Sequence, residues 1–171
     1  MQYTSHYQSP LGGILLAADE AGLTGLWFEG QKYFAHGLDK KHEEKEIPLF
    51  ETVRHWLDTY FSGTEPGFAV PLHFTGTSFQ NEVWDILCAI PYGQTTTYAA
   101  VAKRLAERRN LEHMSPQAVG GAVGHNKISI IVPCHRVIGF RGSLTGYAGG
   151  TDKKQSLLTL EGADIGKRFL W

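Results

Sequence analysis

Cysteine is scarce in this sequence, with Cys88 and Cys134 alone among 171 residues. That number excludes a disulfide framework and suits a thiol kept reduced in the cytoplasm. Long apolar runs are missing too: no stretch approaches the roughly 18 consecutive apolar residues that a membrane span needs, so no membrane partner is expected. The start, Met1-Gln2-Tyr3-Thr4-Ser5-His6, lacks the basic-then-apolar order of a secretory leader. No Cys-x-x-Cys pair or His/Cys cluster at ligand spacing occurs, so no metal is expected. What remains is an ordinary globular composition, 42% hydrophobic and 19% charged, long enough for one domain or two small ones.

The formal net charge of -1 conceals an uneven distribution. Up to residue 74 there are five Lys or Arg against ten Asp or Glu; from residue 75 there are eleven against seven. A basic second half suggests a polyanionic partner.

The first half reads as a meander of strands, Tyr3–Gln8, Gly13–Ala18 and Leu23–Phe28, separated by Ser9-Pro10-Leu11-Gly12 and Asp19-Glu20-Ala21-Gly22. Residues 36–46 are polar and mixed in charge, as an exposed loop or short solvated helix would be. Phe50, Val53, Trp56, Leu57, Tyr60 and Phe61 then recur at helical spacing over 48–61, and Phe68–Leu72 reads as one more short strand. His6, His36, His42, His55 and His73 are scattered and read as structural or solvent-exposed.

After residue 75 the character becomes helical. Thr77 with Gln80 forms a capping-box pattern for a helix over 78–89, in which Cys88 reads as small core filler. Thr95-Thr96-Thr97 offers N-caps for a helix over 98–106. Ser115 followed by Pro116 opens a third, containing Gly120, Gly121 and Gly124. Glycine in a helix costs about 1 kcal/mol relative to Ala, so three of them imply close approach of the backbone to another surface. The last two helices with their polar turn resemble a helix-turn-helix. A final helix starts at Asp152 as N-cap and closes at Glu161-Gly162.

The chemistry centres on Ile128–Gly139, where a β-branched run ends at Pro133 and is followed by Cys134-His135-Arg136. It reads as a buried strand entering a turn, a rigid place to present a nucleophile. Cys134 needs activation, because a thiol with pKa near 8.5 is only a few per cent ionised at neutral pH. His135 is the obvious base, but neighbours in an extended chain point to opposite sides, so a sharp turn or a bridging water is required. Glu161 is the plausible carboxylate to orient it, with Asp152 and Asp164 as rivals.

Ile131-Val132-Pro133-Cys134-His135-Arg136-Val137-Ile138-Gly139 resembles the active-site signature of the O6-alkylguanine-DNA alkyltransferases. The resemblance extends over about 76–162, through Ser78-Phe79-Gln80, Val83-Trp84, Ile90-Pro91-Tyr92-Gly93-Gln94-Thr95, Tyr98, Ala118-Val119-Gly120-Gly121-Ala122, Asn126, Gly146-Tyr147-Ala148-Gly149-Gly150, Lys154, Leu157-Leu158 and Glu161-Gly162. It implies an α+β fold. Residues 1–75 would form a small ribonuclease-H-like domain without a catalytic part. Residues 76–171 would form a helical, winged-helix-like DNA-binding and alkyl-acceptor domain.

The implied activity is single-turnover repair of O6-alkylguanine, and O4-alkylthymine, in double-stranded DNA. Cys134 keeps the alkyl group and is not regenerated, without any cofactor. His135 would act through water toward Glu161, Asn126 would fix local hydrogen bonding, and Tyr98 would help protonate the leaving base. Tyr147, Val123 and the backbone of Val137 and Ala148 would hold the flipped base. Ser115, Gln117, Ala118, Gly120, Gly121 and Tyr98 would meet DNA in the minor groove. A monomer is expected, with cooperative binding left open.

One departure concerns Gln117, which stands where the family usually has an intercalating arginine. Another is the longer turn around Glu107–Met114, with Arg108 and Arg109 as altered backbone contacts. Two other classes fit parts of the sequence. A lesion-binding relative would lack the cysteine, and a Cys-His-Glu hydrolase would have no use for the helix-turn-helix.

Overall fold

A computed structural model describes residues 1–144 and 146–164. Residues 165–171, which the sequence assigns to the second domain, lie outside the described residues. The chain forms two compact units: Met1–Thr75 with Lys127–Ser129, and Gly76–Asn126 with the chain from Ile130 onward. Mixed helices and strands give the expected α+β class.

In the first unit β1 (Gln2–Ser9), β2 (Gly12–Ala18) and β3 (Leu23–Phe28) form the expected antiparallel meander. The first turn uses Gly12 at φ 115, a conformation open to glycine at little cost. In the second, the Asp19 carboxylate accepts from the Ala21 backbone N–H at 2.9 Å. β3 is buried throughout, and α1 (Pro48–Phe61) buries Phe50, Val53, Trp56, Leu57 and Tyr60. Tyr7 of β1 stacks on Phe61 and donates to Asp58 at 2.6 Å, fastening helix to sheet.

Two expectations fail here. The polar segment 36–46 contains a strand, β4 (His42–Glu44), which pairs parallel to β1 through its main chain with every side chain exposed. Phe68–Leu72 is not a strand; it contributes a single bridge, Leu72 to Leu23. Ile128 bridges Leu26, which places Lys127–Ser129 in this unit.

The second unit begins with α2 (Ser78–Leu87), closed by the expected reciprocal capping box between Thr77 and Gln80. Cys88 is exposed at its C-cap and is not core filler. After β5 (Thr96–Thr97), the Thr97 hydroxyl caps α3 (Tyr98–Arg108), and Ser115 caps α4 (Pro116–Gly124). α3 buries Val101, Ala102, Leu105 and Ala106, while α4 buries Val119, Ala122 and Val123. The Trp84 indole donates to Ala122 O at 2.8 Å and ties α2 to α4.

The run before Cys134 is not a strand. It turns through Ile130, fully buried at φ 70, a costly conformation for a β-branched residue. The regular pairing comes after the cysteine, where β6 (Val137–Ile138) lies parallel to β5. α5 (Thr151–Leu160) starts two residues earlier than expected, with Gly150 at φ 98 as N-cap in place of Asp152, which lies inside the first turn.

Candidate active site around Cys134

The nucleophile sits at the head of a single 3-10 turn, Cys134–Arg136, between Pro133 and β6. Cys134 N donates to Val132 O at 2.8 Å and Arg136 N to Pro133 O at 3.0 Å. No hydrogen bond joins the Cys134 and His135 side chains among the described residues: His135 Nε2 is taken by Glu161 and Nδ1 has no partner. Both are buried, at 5% and 0% exposure.

Glu161, at the C-cap of α5, is the carboxylate that reaches His135; Asp152 and Asp164 are exposed. His135 Nε2 lies 2.6 Å from Glu161 Oε2. Arg136 grips the same carboxylate, Nε to Oε1 at 2.8 Å and Nη2 to Oε2 at 3.1 Å. The Gly93 backbone N–H is a further donor to this carboxylate, reaching Oε1 at 3.0 Å. Burial pushes the Glu161 pKa up, but hydrogen bonds and charge from His135 and Arg136 outweigh it and hold the carboxyl well below the usual range.

An ionised Glu161 has no proton to give, so His135 donates from Nε2–H and Nδ1 carries the lone pair. Nδ1 is buried with no hydrogen-bond partner among the described residues. Burial, joined by the charges of Arg136 and Lys154, lowers the pKa of His135 against the opposing pull of Glu161, so the ring is neutral near pH 7. A neutral imidazole with an unused buried acceptor is a base waiting for a proton.

Burial raises the thiol pKa of Cys134, while a hydrogen bond from the Asn126 side chain, the charge of Lys154 and backbone donors pull it down. Asn126 is itself fixed by donating to Val132 O at 2.9 Å. Lys154 is fully buried on α5 and donates to Val137 O at 2.5 Å, with Nζ 5.9 Å from the Tyr98 ring centre. Burial lowers its pKa to about 8, against the opposing pull of Cys134. Tyr98 is pushed up to about 12 by burial and by Cys134, which keeps its hydroxyl protonated.

A cleft of about 360 Å³ opens beside this centre, lined by Tyr98, Pro116, Gln117, Gly120 and Gly146. A Cβ at Gly146 would come within 3.0 Å of the Tyr98 hydroxyl, so the loop crosses Tyr98 closely. Gln117, Ala118 and Gly121 are exposed on α4, and Gly120 is half-buried. A Cβ at Gly121 or Gly124 would meet nothing within 4 Å, so internal packing does not demand these glycines. The Ser115 hydroxyl accepts from Ala118 N at 3.3 Å and donates to Gln117 Oε1 at 3.1 Å. Tyr147 and Val137 are buried, Ala148 is half-buried, and Val123 lies on the inner face of α4.

Arg136 and Lys154 received no role from the sequence. Lys154 precedes the buried Leu157 and Leu158 by three and four residues, spacing that puts a charge on the helix's core face and was the available signal. Arg108 and Arg109 are exposed and form surface ion pairs, with Asp85 at 3.0 Å and Glu82 at 2.7 Å. No group of three or more His, Cys, Asp or Glu side chains suited to a metal occurs among the described residues.

Two family models match the chain: the 6-O-methylguanine DNA methyltransferase ribonuclease-like domain over residues 2–74, and the DNA binding domain of the same family over 78–163. A methylated-DNA--protein-cysteine methyltransferase of Methanosarcina acetivorans is 44% identical over 94% of this chain and 99% of its own length. One from Haemophilus influenzae is 40% identical over 93% of this chain and 86% of its own length. Among solved structures, Mycobacterium tuberculosis OGT in complex with DNA matches at a TM-score of 0.78 and 39% identity, covering 94% of this chain and 92% of that one.

Proposed function

The chain belongs to the 6-O-methylguanine DNA methyltransferase family, and on that premise we propose that Cys134 removes alkyl groups from O6 of guanine in DNA. The observation that carries the reading is the buried Cys134 beside a His135–Glu161 pair whose Nδ1 has no partner among the described residues. The thiol proton passes through water to Nδ1, and the His135 cation that forms is stabilised by ionised Glu161. Sulfur attacks the alkyl carbon, the S–C bond forms and the C–O6 bond breaks with its electron pair moving to oxygen. The leaving base takes a proton from Tyr98, whose high pKa keeps one in place, and the proton held by His135 returns through water to Tyr98, so the net transfer is from thiol to base. The thioether on Cys134 is stable, so each molecule acts once and no cofactor is needed.

A base in a duplex cannot reach a buried sulfur. The nucleotide therefore leaves the stack, at a cost of roughly a few kcal/mol. Tyr147 and the backbone of Val137 and Ala148 receive it, beside Val123. The Val137 carbonyl accepts from Lys154, which fixes its position beside the base. The exposed Gln117, Ala118 and Gly121 of α4, with Ser115 and Gly120, face the minor groove. O4-alkylthymine, a monomeric state and a cytoplasmic location belong to the same reading. So do two domains, 1–75 and 76–171.

The test is to incubate the protein with duplex DNA carrying O6-methylguanine and weigh it. One methyl on Cys134, absent in Cys134→Ala, is expected. Binding without mass gain, or repeated turnover on a thiol-reactive ester, would overturn the reading.

A further inference from the structure

Phe140 is the most exposed large apolar side chain among the described residues, at 81%. Its place follows from strand pairing. β5 and β6 run parallel, with Thr97 opposite Ile138, so both leave the pair at the same edge. One runs into Tyr98 and the other into Gly139 and Phe140. Gly146, a few residues on, returns to Tyr98 and lines the cleft with it. Phe140 thus stands on the loop that forms one wall of the cleft mouth.

The turn that holds it is closed, not slack. Gly139 N donates to Ser143 O at 2.7 Å, Gly142 N donates to Gly139 O at 3.1 Å, and Gly142 sits at φ 82. A ring this exposed, on the loop that returns to the cleft at Gly146, offers apolar surface to whatever arrives there. The residues lining the cleft carry no formal charge, so a ligand entering it is not gripped there by ion pairs. Stacking is the contact that a ring can offer a nucleic acid, since every base has a π-face.

We propose that Phe140 stacks on a DNA base at the cleft mouth, next to the nucleotide that enters. This rests on the reading of Cys134 as acceptor of alkyl groups from DNA. It makes Phe140 a contact that helps to capture and hold opened DNA and takes no part in the transfer itself.

The full chain and its Phe140→Ala and Phe140→Trp variants are compared in single-turnover alkylation of Cys134. The donors are a duplex carrying O6-methylguanine and free O6-benzylguanine base. Duplex binding is measured separately on a Cys134→Ala background, with and without Phe140→Ala, across salt concentrations. The ratio of the duplex rate to the free-base rate should fall about tenfold in Phe140→Ala and recover in Phe140→Trp. Duplex affinity should fall similarly, with an unchanged salt slope because no phosphate contact is lost. An unaltered rate ratio and affinity in Phe140→Ala would overturn the proposal, as would a loss confined to a changed salt slope. Failure of the wild-type chain to take an alkyl group from either donor would overturn the alkyl-transfer reading instead. The affinity comparison would then still decide whether Phe140 touches DNA.

Discussion

At the scale of single residues, the site is governed by one carboxylate serving two partners, a neutral imidazole and a guanidinium. Glu161 holds His135 in the tautomer that frees Nδ1 and neutralises Arg136, which is buried and also bonded to Ile90 O at 2.7 Å. Replacing it by Gln removes the negative charge and leaves Arg136 charged and largely buried. Losing one partner of such a pair costs about 3–5 kcal/mol, so Glu161→Gln should unfold at markedly lower urea. Its transfer rate should fall as well, because the His135 cation loses its stabilising anion. His135 must be neutral to accept a proton, and its pKa lies below the ordinary 6.5, chiefly through burial. The acid limb of the wild-type rate profile should therefore fall below pH 6.5, and a limb above that value would contradict this role for His135.

Lys154 permits a thermodynamic test of the same kind. The unfolded chain keeps this proton to about pH 10.5, whereas the buried ammonium releases it at about 8. Between these values the unfolded state binds more protons, so this group makes stability rise with pH. The unfolding free energy of the wild type, relative to Lys154→Met, should climb by about 2 kcal/mol between pH 8 and pH 10. The variant should also transfer alkyl groups more slowly at neutral pH, because the charge that favours the Cys134 thiolate is gone. A flat difference across that pH range would show that Lys154 keeps its proton in the folded state.

At the scale of elements, α4 shows stability traded for an open surface. Gly121 is exposed in a helix interior, and a Cβ there would meet nothing within 4 Å. Gly121→Ala should stabilise the protein by about 0.5–1 kcal/mol through helix propensity alone. If the glycine exists so that a duplex can lie against the backbone, the same change should weaken duplex binding. Increased stability with undiminished binding would remove DNA as the reason for this glycine. Gln117→Arg, in the first turn of the same helix, should tighten duplex binding and steepen its salt dependence by about one unit of slope. Equal affinity at every salt concentration would show that residue 117 does not reach DNA.

The elements also show where the sequence could be read. Thr77 with Gln80, and Ser115 with Pro116, announced their helices because capping is local chemistry written in adjacent residues. β4 was invisible: His42–Glu44 pairs through main-chain atoms and exposes every side chain, leaving no alternation to detect. The run Ile128–Val132 misled in the opposite sense. Its β-branched residues favour strand, but tertiary burial bends them through Ile130 at φ 70. At the site, the motif pointed to Cys134 and His135, whereas the choice of Glu161 over Asp152 and Asp164 depended on where α5 ends in space. Arg136 and Lys154 escaped notice because burial of a charge is a property of the folded chain.

At the scale of the whole molecule, the charge asymmetry needs recounting. The second part of the sequence has eleven Lys or Arg, which on its own favours a polyanion. Among the described residues, at least five of them already have partners within the protein, three of these at its surface. Arg108 and Arg109 pair with carboxylates of α2, Arg136 with Glu161, Lys154 donates to Val137 O, and Lys127 donates to Thr75. A protein that neutralises Z phosphates loses affinity for duplex DNA with a log–log salt slope of about −0.9Z. With so many cations engaged, and a cleft wall without formal charge, binding should rest on few phosphate contacts. Titration of the Cys134→Ala variant with a duplex at several salt concentrations should give a slope no steeper than about −4. A slope approaching −9 would mean that these surface pairs open on DNA, and Arg108→Gln and Arg109→Gln should then each make it shallower by about one unit. With the pairs intact, both variants should leave the slope unchanged, because each arginine then keeps its carboxylate and meets no phosphate.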